Sequence, residues 1–298
     1  MLKPIYNSAY SILQRTWHYN PFIPKKINGV LVAKGHARFE QESDPQLDRN
    51  IIAEIKKAGI GFSEYVIDIQ AFRKYFSETV YPKNYYGNGK THTPNFIEKA
   101  LEHFVALQLL DLNEKSVVVD VGACNSPFFE LVMQKTSCKN AYAQDLDLPN
   151  GMNGKYIGGK ASELPFEDSS VDAITLHCAL EHFEGMQDLG FFKEASRVLK
   201  KNGKCIVLPL YLSSQYTIHL DPVNNLLKSL KPELNDEGAV IKYCDSRQPF
   251  SRHYDVKTFS KRILNQVPLL DAEIMHVSNF FTVSDECYLR FIGVFTKQ

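Results

Sequence analysis

The sequence lacks the features of a disulfide-linked, secreted or membrane-spanning chain. Its six cysteines are spread over 298 residues without a Cys-x-x-Cys pair, so neither a disulfide framework nor a zinc site is predicted. No apolar run approaches the roughly 18 residues of a membrane span. The N-terminal segment has no continuous apolar block, which a signal peptide requires. We therefore expect a cytoplasmic protein in a reducing compartment.

An excess of charge of one sign is also lacking. Lysine and arginine number 34, aspartate and glutamate number 34, and the formal net charge is zero. A general nucleic-acid-binding protein needs a positive field, so we expect no such binding. The chain is 44% hydrophobic and 23% charged, which is ordinary for a globular protein. Its length allows one large domain, or a catalytic domain with an extension.

Short helices are predicted in the first third of the chain. Residues 46–58 carry apolar side chains at helical spacing. Residues 69–78 show the same spacing on an aromatic face, and Asp68 is placed to cap that helix. A longer helix is predicted to begin at Thr93-Pro94 and to reach about residue 110.

After residue 110 the pattern changes to strands that alternate with helices. The predicted strands are residues 116–121, 141–143, 155–158, 171–176, 204–210, 270–277 and 288–295, and the predicted helices are residues 127–135, 189–199 and 256–264. This alternation predicts an α/β fold with a seven-stranded, mostly parallel sheet and helices on both faces. Ligands bind such sheets outside the carboxyl ends of the strands, so the residues that follow the strands are the candidates for function.

The first of these strands ends in Asp120-Val-Gly122. A glycine at this turn lets the backbone approach a ligand closely. The dinucleotide pattern Gly-x-Gly-x-x-Gly is missing, because positions 124 and 127 are not glycine. Asp145, at the end of the second strand, is placed to accept hydrogen bonds from ribose hydroxyls. These residues predict a site for a nucleoside without a pyrophosphate; the alternative is that Asp120 caps the turn and Asp145 is a surface acid.

The most specific motifs follow. They are Leu164-Pro-Phe166, Asp172 at the start of the fourth strand, Leu180-Glu-His182, and Glu194-Ala-Ser-Arg197-Val-Leu-Lys with Gly203 behind it. In this order and spacing, they resemble class I S-adenosylmethionine-dependent methyltransferases of the type 11 family, over residues 116–210. The resemblance implies a Rossmann-like sheet whose last strand is antiparallel, with S-adenosylmethionine as cofactor and S-adenosylhomocysteine as product.

The resemblance also assigns nine residues to the cofactor. They are Asp120, Gly122, Ala123, Asp145, Leu146, Ala161, Ser162, His177 and Cys178. Asp120 is implied near the amino group of the methionine moiety, which His177 and Cys178 also line. Asp145 is implied at the ribose, and Ala161 with Ser162 beside the adenine. The family loop has the form Asp-x-Gly-x-Gly-x-Gly, whereas Cys124 and Ser126 stand at its second and third glycines, which predicts a different turn.

Transfer of a methyl group to a hydroxyl requires a base, and histidine suits neutral pH. His182, in the Leu-Glu-His motif, and His253 are the two candidate catalytic residues. For each of them the alternative is a packing or surface role. Asp255 is more simply explained as the N-cap of the helix that follows it.

The resemblance further implies how the acceptor is enclosed. We expect residues 1–92 to form a mainly helical extension that covers the active site, and residues 93–298 to form the methyltransferase domain. An insertion at about 211–255 is expected to cover the acceptor pocket. The candidate acceptor-binding residues are Tyr85, Tyr86, Tyr211, Arg252 and Tyr254. The alternative for the first two is a packed aromatic turn.

A metal ion is not expected. Some relatives hold a divalent ion with Glu-x-x-Glu-His, and the same stretch here is Cys178-Ala-Leu-Glu181-His182. Sulfur thus stands in place of the first carboxylate, and a hard cation such as Mg²⁺ prefers oxygen ligands.

The sequence therefore predicts methylation of an oxygen on a small-molecule or saccharide acceptor, by in-line methyl transfer. The choice of oxygen rests on the histidines, so nitrogen and carbon acceptors stay open. One alternative is a noncatalytic methyltransferase-like binding protein, which Cys124 and Ser126 favour. The other is a nicotinamide-dependent oxidoreductase, which the missing glycines at positions 124 and 127 disfavour.

Overall fold

The computed structural model describes residues 26–27, 30–32, 45–86, 95–228, 231–243 and 248–298. These residues fall into two compact units. The large unit comprises Ile52–Leu180, Gln187–Leu210 and Ser260–Gln298, and the small unit comprises the described parts of Met1–Ile51 with Glu181–Met186 and Tyr211–Phe259. The predicted insertion at 211–255 thus belongs to a unit with its own sheet. The predicted helix start at Thr93-Pro94 lies outside the described residues.

The regular elements are numbered in chain order. The strands are β1 Lys26–Ile27, β2 Val30–Val32, β3 Gly61–Tyr65, β4 Val117–Val121, β5 Asn140–Asn153, β6 Tyr156–Gly158, β7 Val171–His177, β8 Leu199–Leu208, β9 Thr217–Leu220, β10 Val240–Tyr243, β11 Phe250–His253, β12 Leu270–Val277 and β13 Phe291–Lys297. The helices are α1 Pro45–Lys57, α2 Ile69–Glu78, α3 Asn95–Leu109, α4 Phe128–Lys135, α5 Gln187–Val198, α6 Pro222–Lys228 and α7 Val256–Arg262. No helix among the described residues is long and apolar enough to cross a membrane.

The sheet of the large unit has the strand order β3-β12-β13-β8-β7-β4-β5-β6. Strand β4 pairs in parallel with β5 and β7, and β8 pairs in parallel with β7. The last strand, β13, is antiparallel to both β8 and β12. The predicted Rossmann-like, mostly parallel sheet with an antiparallel last strand is therefore confirmed.

An eighth strand extends this sheet beyond the seven that were predicted. Strand β3 pairs in parallel with β12 and comes from the part of the chain that was expected to be mainly helical. Its sequence, Gly-Phe-Ser-Glu-Tyr, is only partly buried, and its two aromatic residues, Phe62 and Tyr65, are three positions apart and do not alternate with polar residues. A five-residue edge strand of this composition gives little periodic signal.

The helices of the large unit form where the sequence predicts them. Asp68 caps α2, because its carboxylate accepts hydrogen bonds from the backbone N–H groups of Gln70 (3.0 Å) and Ala71 (2.9 Å). Helix α3 buries Ala100 and Phe104 against the sheet core. This helix precedes β4 directly in the chain, so it supplies side chains near the carboxyl ends of the central strands.

The small unit has a five-stranded sheet with the order β1-β2-β10-β9-β11. Strand β11 is antiparallel to β9, and β10 is parallel to both β9 and β2. Ile218, Leu220 and Phe250 form its apolar cluster. None of these strands was predicted. Each spans four residues or fewer, and so short a run gives little periodic signal.

Candidate active site

The loop after β4 forms a turn of the kind that favours glycine, although it has only one of the three glycines of the family pattern. Gly122 has a φ of +66°, and a Cβ there would lie 2.6 Å from the Cβ of Ala179. Cys124 also has a positive φ, +50°. Its backbone N–H donates to Oδ2 of Asp145 at 2.6 Å, so the Asp145 carboxylate stabilises this conformation. The other oxygen of Asp145 accepts from the backbone N–H of Asp147 at 2.9 Å.

Ser126, at the position of the family's third glycine, also has a structural role. Its Oγ accepts from the backbone N–H of Phe128 at 3.2 Å and lies 3.3 Å from Nε2 of His103. The His103 ring nitrogens also contact the hydroxyls of Tyr81 (3.1 Å) and Tyr85 (3.4 Å). Burial, and then the charges of its neighbours, lower the pKa of His103 well below its usual value. The neutral ring thus joins this loop to helix α3 and to the aromatic turn before it.

The two predicted acceptor-binding tyrosines in that turn differ in their surroundings. Tyr85 is buried and stacks on His103 with ring centroids 5.8 Å apart, as the alternative of a packed aromatic turn predicts. Tyr86 is 40% exposed, and its ring lies 6.0 Å from Nζ of Lys99. Of the two hydroxyls, that of Tyr86 is therefore the more accessible to a ligand.

Asp120 is buried with one carboxylate oxygen unused. Its Oδ1 accepts from the hydroxyl of Thr175 at 2.9 Å, whereas Oδ2 has no hydrogen-bond partner among the described residues. Burial raises the pKa of Asp120 to about 6. His177, which ends β7, has Nε2 3.7 Å from Oδ1 of Asp120 and Nδ1 3.7 Å from Oε2 of Glu102. Both distances are too long for a direct hydrogen bond.

Helix α3 adds a buried group of charges that the sequence analysis missed. Nζ of Lys99 lies 2.8 Å from Oε1 of Glu102 and 2.5 Å from Sγ of Cys178. Burial alone would lower the pKa of Lys99, but Cys178 and Glu102 hold it well above its usual value. Burial opposes ionisation of Glu102 as well, yet the Lys99 ammonium lowers the pKa of Glu102 overall. One turn earlier, Glu98 accepts from the backbone N–H of Tyr288 at 3.0 Å.

The remaining predicted cofactor residues lie in the large unit, Leu146 on β5 and the others on loops. Ser162 donates from its hydroxyl to the side-chain oxygen of Gln187 at 3.3 Å, and Ala161 is partly exposed beside it. Leu146 is 70% exposed. Ala123 is buried, and its N–H donates to the backbone oxygen of Gln144 at 2.9 Å. That these four residues bind the cofactor stays a prediction.

His182 lies in the small unit with a defined tautomer. Its Nδ1 is 2.7 Å from the backbone oxygen of Phe250. A carbonyl oxygen only accepts hydrogen bonds, so Nδ1 carries the proton and Nε2 of the neutral ring has the lone pair. Nε2 is 3.6 Å from Oε1 of Glu181, and the imidazole side chain is 33% exposed. This arrangement suits a general base, because the carboxylate would stabilise the imidazolium that forms.

His253 lies in a different environment. It is buried, with its ring stacked on Tyr211 (centroids 4.8 Å apart) and beside His219 (4.5 Å). Burial, and then the charges of His219 and His182, lower its pKa well below the usual value. Asp255 accepts from the backbone N–H of Thr258 at 2.6 Å, so it caps α7 as expected.

Arg252 is committed to the interior of the small unit. Its Nε lies 2.7 Å from Oδ1 of Asp236, and both side chains are buried. Its two terminal nitrogens donate to the backbone oxygens of Phe183 and Gly185. Tyr254 is buried as well. The geometry of Arg252 is that of a structural ion pair, and its predicted role in binding the acceptor stays a prediction.

The large-unit residues fit the amino-acid end and the ribose of S-adenosylmethionine. The unused, buried Oδ2 of Asp120 suits an ammonium group, which has three donors and no acceptor. Each oxygen of Asp145 accepts one backbone N–H and keeps a second lone pair for a ribose hydroxyl. Among the described residues, no group of three or more His, Cys, Asp or Glu side chains is arranged to hold a metal ion.

Comparison with known proteins finds a protein family that matches part of the chain. Residues 119–207 match a family model described as a methyltransferase domain, and they include the end of β4, the whole of β5 and β7, and the loops that follow these strands. The chain thus contains a class I S-adenosylmethionine-dependent methyltransferase domain, of the type 11 methyltransferase family. It is a methyltransferase with S-adenosylmethionine as its cofactor. No curated protein matches the chain at a significant level.

Several solved structures are distantly similar to this chain. One is the 1,6-didemethyltoxoflavin-N1-methyltransferase of Burkholderia thailandensis, at 11% identity and a TM-score of 0.43, covering 90% of this chain and 95% of that one. Another is phosphoethanolamine N-methyltransferase 2 of Haemonchus contortus, at 12% identity and 0.46, covering 76% and 60%. A methyltransferase of Methanosarcina mazei matches at 14% identity and 0.38, covering 65% and 96%. Likeness at this level carries no information about the acceptor.

Proposed function

We propose that the chain methylates a hydroxyl group of a small-molecule or saccharide acceptor, with His182 as the general base. The observation that carries the proposal is the 2.7 Å contact between Nδ1 of His182 and the backbone oxygen of Phe250. That contact leaves Nε2 able to accept a proton. A hydroxyl acceptor must lose its proton on methylation, whereas many other methyl acceptors need no such base.

We assign a separate role to the cofactor and to each residue of the site. S-adenosylmethionine supplies an electrophilic methyl group on a sulfonium. Asp120 binds the ammonium of the cofactor, and Asp145 accepts from the ribose hydroxyls. His182 takes the acceptor proton at Nε2, and Glu181, 3.6 Å away, stabilises the resulting imidazolium. His253 is less suited to this role, because burial opposes its protonated form.

The choice between the two histidines rests on burial and tautomer. His182 is partly exposed and held by one hydrogen bond, so it can meet an acceptor. His253 is fully enclosed by aromatic neighbours. We therefore assign catalysis to His182 and packing to His253. The covering roles of residues 1–92 and 211–255 stay predictions.

The test is a set of methyl-transfer assays with labelled S-adenosylmethionine on hydroxyl-bearing small molecules and monosaccharides, and on amine analogues of each. With an accepted hydroxyl substrate, His182→Gln should lower kcat roughly 10²- to 10⁴-fold. Its affinity for S-adenosylhomocysteine, measured by titration calorimetry, should stay unchanged. His276→Gln in the large unit, whose ring lies 2.9 Å from Glu64, is the control and should keep full activity.

Two outcomes would count against the proposal. Preferential methylation of the amine analogues would refute the assignment of oxygen. Full activity of His182→Gln on a hydroxyl acceptor would refute the base. Binding of S-adenosylhomocysteine without turnover on any acceptor would instead favour a noncatalytic binding protein.

A further inference from the structure

We propose that helix α3 recognises the amino-acid end of S-adenosylmethionine: Lys99 binds the carboxylate, and Glu102, together with Asp120, binds the ammonium. The proposal deepens the cofactor assignment and rests on it. Lys99 and Glu102 both precede the residues 119–207 that match the family model. Their role therefore comes from the structure of this chain.

The site contains more buried hydrogen-bond acceptors than donors. Oε2 of Glu102 and Oδ2 of Asp120 are both buried without a hydrogen-bond partner among the described residues. The ring of His177 stands between the two carboxylates, at 3.7 Å from each. Buried acceptors without donors are costly, and nearly all find a partner in a working site. An ammonium group supplies up to three donors, which suits this excess of acceptors.

The ammonium group of Lys99 is enclosed beside these acceptors. Lys99 is buried, with an exposed fraction of 3%, and its Nζ pairs with Oε1 of Glu102 at 2.8 Å. The rings of Tyr86 and Tyr288 lie 6.0 and 5.8 Å from its Nζ. Nζ also touches Sγ of Cys178, the residue that directly follows β7. This places a positive charge at the strand end next to Asp120, where a ligand carboxylate could reach it.

The charges of helix α3 match those of the amino-acid end of the cofactor. Lys99 and Glu102 form a neutral pair of opposite charges on one turn of α3. The amino-acid end of the cofactor is itself a pair of opposite charges. When this end binds, Lys99 can bond to the ligand carboxylate and Glu102 to the ligand ammonium with no change in buried net charge, so the large cost of burying an uncompensated ion is avoided. An isolated acidic site would attract the ammonium but repel the carboxylate.

The competing explanation is that Lys99 and Glu102 form an ion pair that only stabilises the fold. The two explanations differ in which ligands they affect. A purely structural pair would alter the binding of every nucleoside ligand alike. A recognition pair affects only ligands that carry the amino-acid end.

The experiment measures three ligands by titration calorimetry on the full chain. They are S-adenosylhomocysteine, its decarboxylated analogue, and 5′-methylthioadenosine, which lacks the amino-acid end. The variants are Lys99→Met, Lys99→Arg and the double variant Lys99→Met with Glu102→Gln, which keeps the buried net charge at zero. Lys115→Met, at an exposed turn before β4, is the matched control. Thermal unfolding of each variant reports whether it folds.

Wild-type protein should bind S-adenosylhomocysteine roughly 10- to 100-fold more tightly than the decarboxylated analogue. Lys99→Met should remove that preference. The affinity of this variant for 5′-methylthioadenosine should stay within about twofold of the wild-type affinity. Lys99→Arg should restore part of the preference, since guanidinium also binds carboxylate. Lys115→Met should behave as wild type.

An equal loss for all three ligands in Lys99→Met and in the charge-neutral double variant would overturn the proposal in favour of the structural pair. An unchanged preference for the carboxylate would also overturn it. If Lys99→Met fails to fold, the double variant and the comparison of ligands on wild-type protein decide. If wild-type protein binds neither S-adenosylhomocysteine nor 5′-methylthioadenosine, the cofactor assignment fails together with this proposal.

Discussion

Asp120 offers a direct test of the cofactor site, because its ionisation should destabilise the protein without ligand. Burial raises its pKa from 3.8 to about 6. That difference of about 2 units corresponds to about 3 kcal/mol at roughly 1.36 kcal/mol per unit. Since the folded-state pKa is raised, the protonated form favours folding. The contribution of the protonated Asp120 to the free energy of unfolding is fully present below the unfolded-state pKa. It is lost as pH rises through about 6.

Asp120→Asn mimics the protonated side chain, and its Oδ1 can still accept from the Thr175 hydroxyl. The variant should match wild type in free energy of unfolding at pH 4 and below. At pH 8 it should be more stable by up to about 3 kcal/mol. At the same time it should bind S-adenosylhomocysteine more weakly, because the charge that holds the ammonium is lost. We therefore expect the charge of Asp120 to lower the stability of the protein without ligand and to strengthen ligand binding.

The assay is urea unfolding of both proteins across pH 4 to 8, with S-adenosylhomocysteine titrated in parallel at pH 8. Asp111→Asn, at an exposed position, is the control and should show no comparable pH-dependent gain. The reasoning is refuted if Asp120→Asn is less stable than wild type at pH 8. A difference between the two proteins that does not change with pH would refute it as well.

Two further predictions concern structural positions. Gly122→Ala should lower the free energy of unfolding by about 2–4 kcal/mol, because the position has a positive φ and the new Cβ would lie 2.6 Å from the Cβ of Ala179. Gly154 has a similar φ but no atom within 4 Å of such a Cβ. In the same urea experiment, Gly154→Ala should therefore lose only the smaller free energy that comes from the positive φ. Arg252→Met should cost about 3–5 kcal/mol, because it removes the buried guanidinium that pairs with the Asp236 carboxylate. Adding Asp236→Leu should recover part of the lost stability, and a loss below about 1 kcal/mol for Arg252→Met would contradict the assignment of a structural pair.

The parts of the fold that the sequence predicted well have strong local signals. The cap at Asp68 and the helix it begins need only one side chain and the spacing of the aromatic residues that follow. Strand β12 was predicted with its observed limits, because it is flanked by clear breaks. The alternation of strands and helices located the end of β4, which holds Asp120, whereas Asp145 lies within β5 and not at its end as predicted.

The parts that were missed depend on long-range pairing or on burial of polar groups. Strand β3 is defined by its partner β12 more than by its own sequence. Helix α3 was expected to bury one apolar stripe, yet Lys99, Glu102 and His103 are buried too. Their spacing on the helix, at positions i, i+3 and i+4, is the signal that could have indicated a second buried face. A charged residue enters the interior only with a partner, and that partner cannot be read from local sequence.

The small unit has a consequence for the order in which the protein folds. Strand β2 pairs with β10, so Leu31 meets Lys242, roughly 210 positions later, and such distant pairings form slowly because a long loop must close first. During synthesis, β2 emerges long before β10 exists. By the time β10 emerges, strands β4 to β8 have all been made, so the central part of the large sheet can assemble first. We expect the small sheet to form late, on a chain whose central parallel strands are already paired.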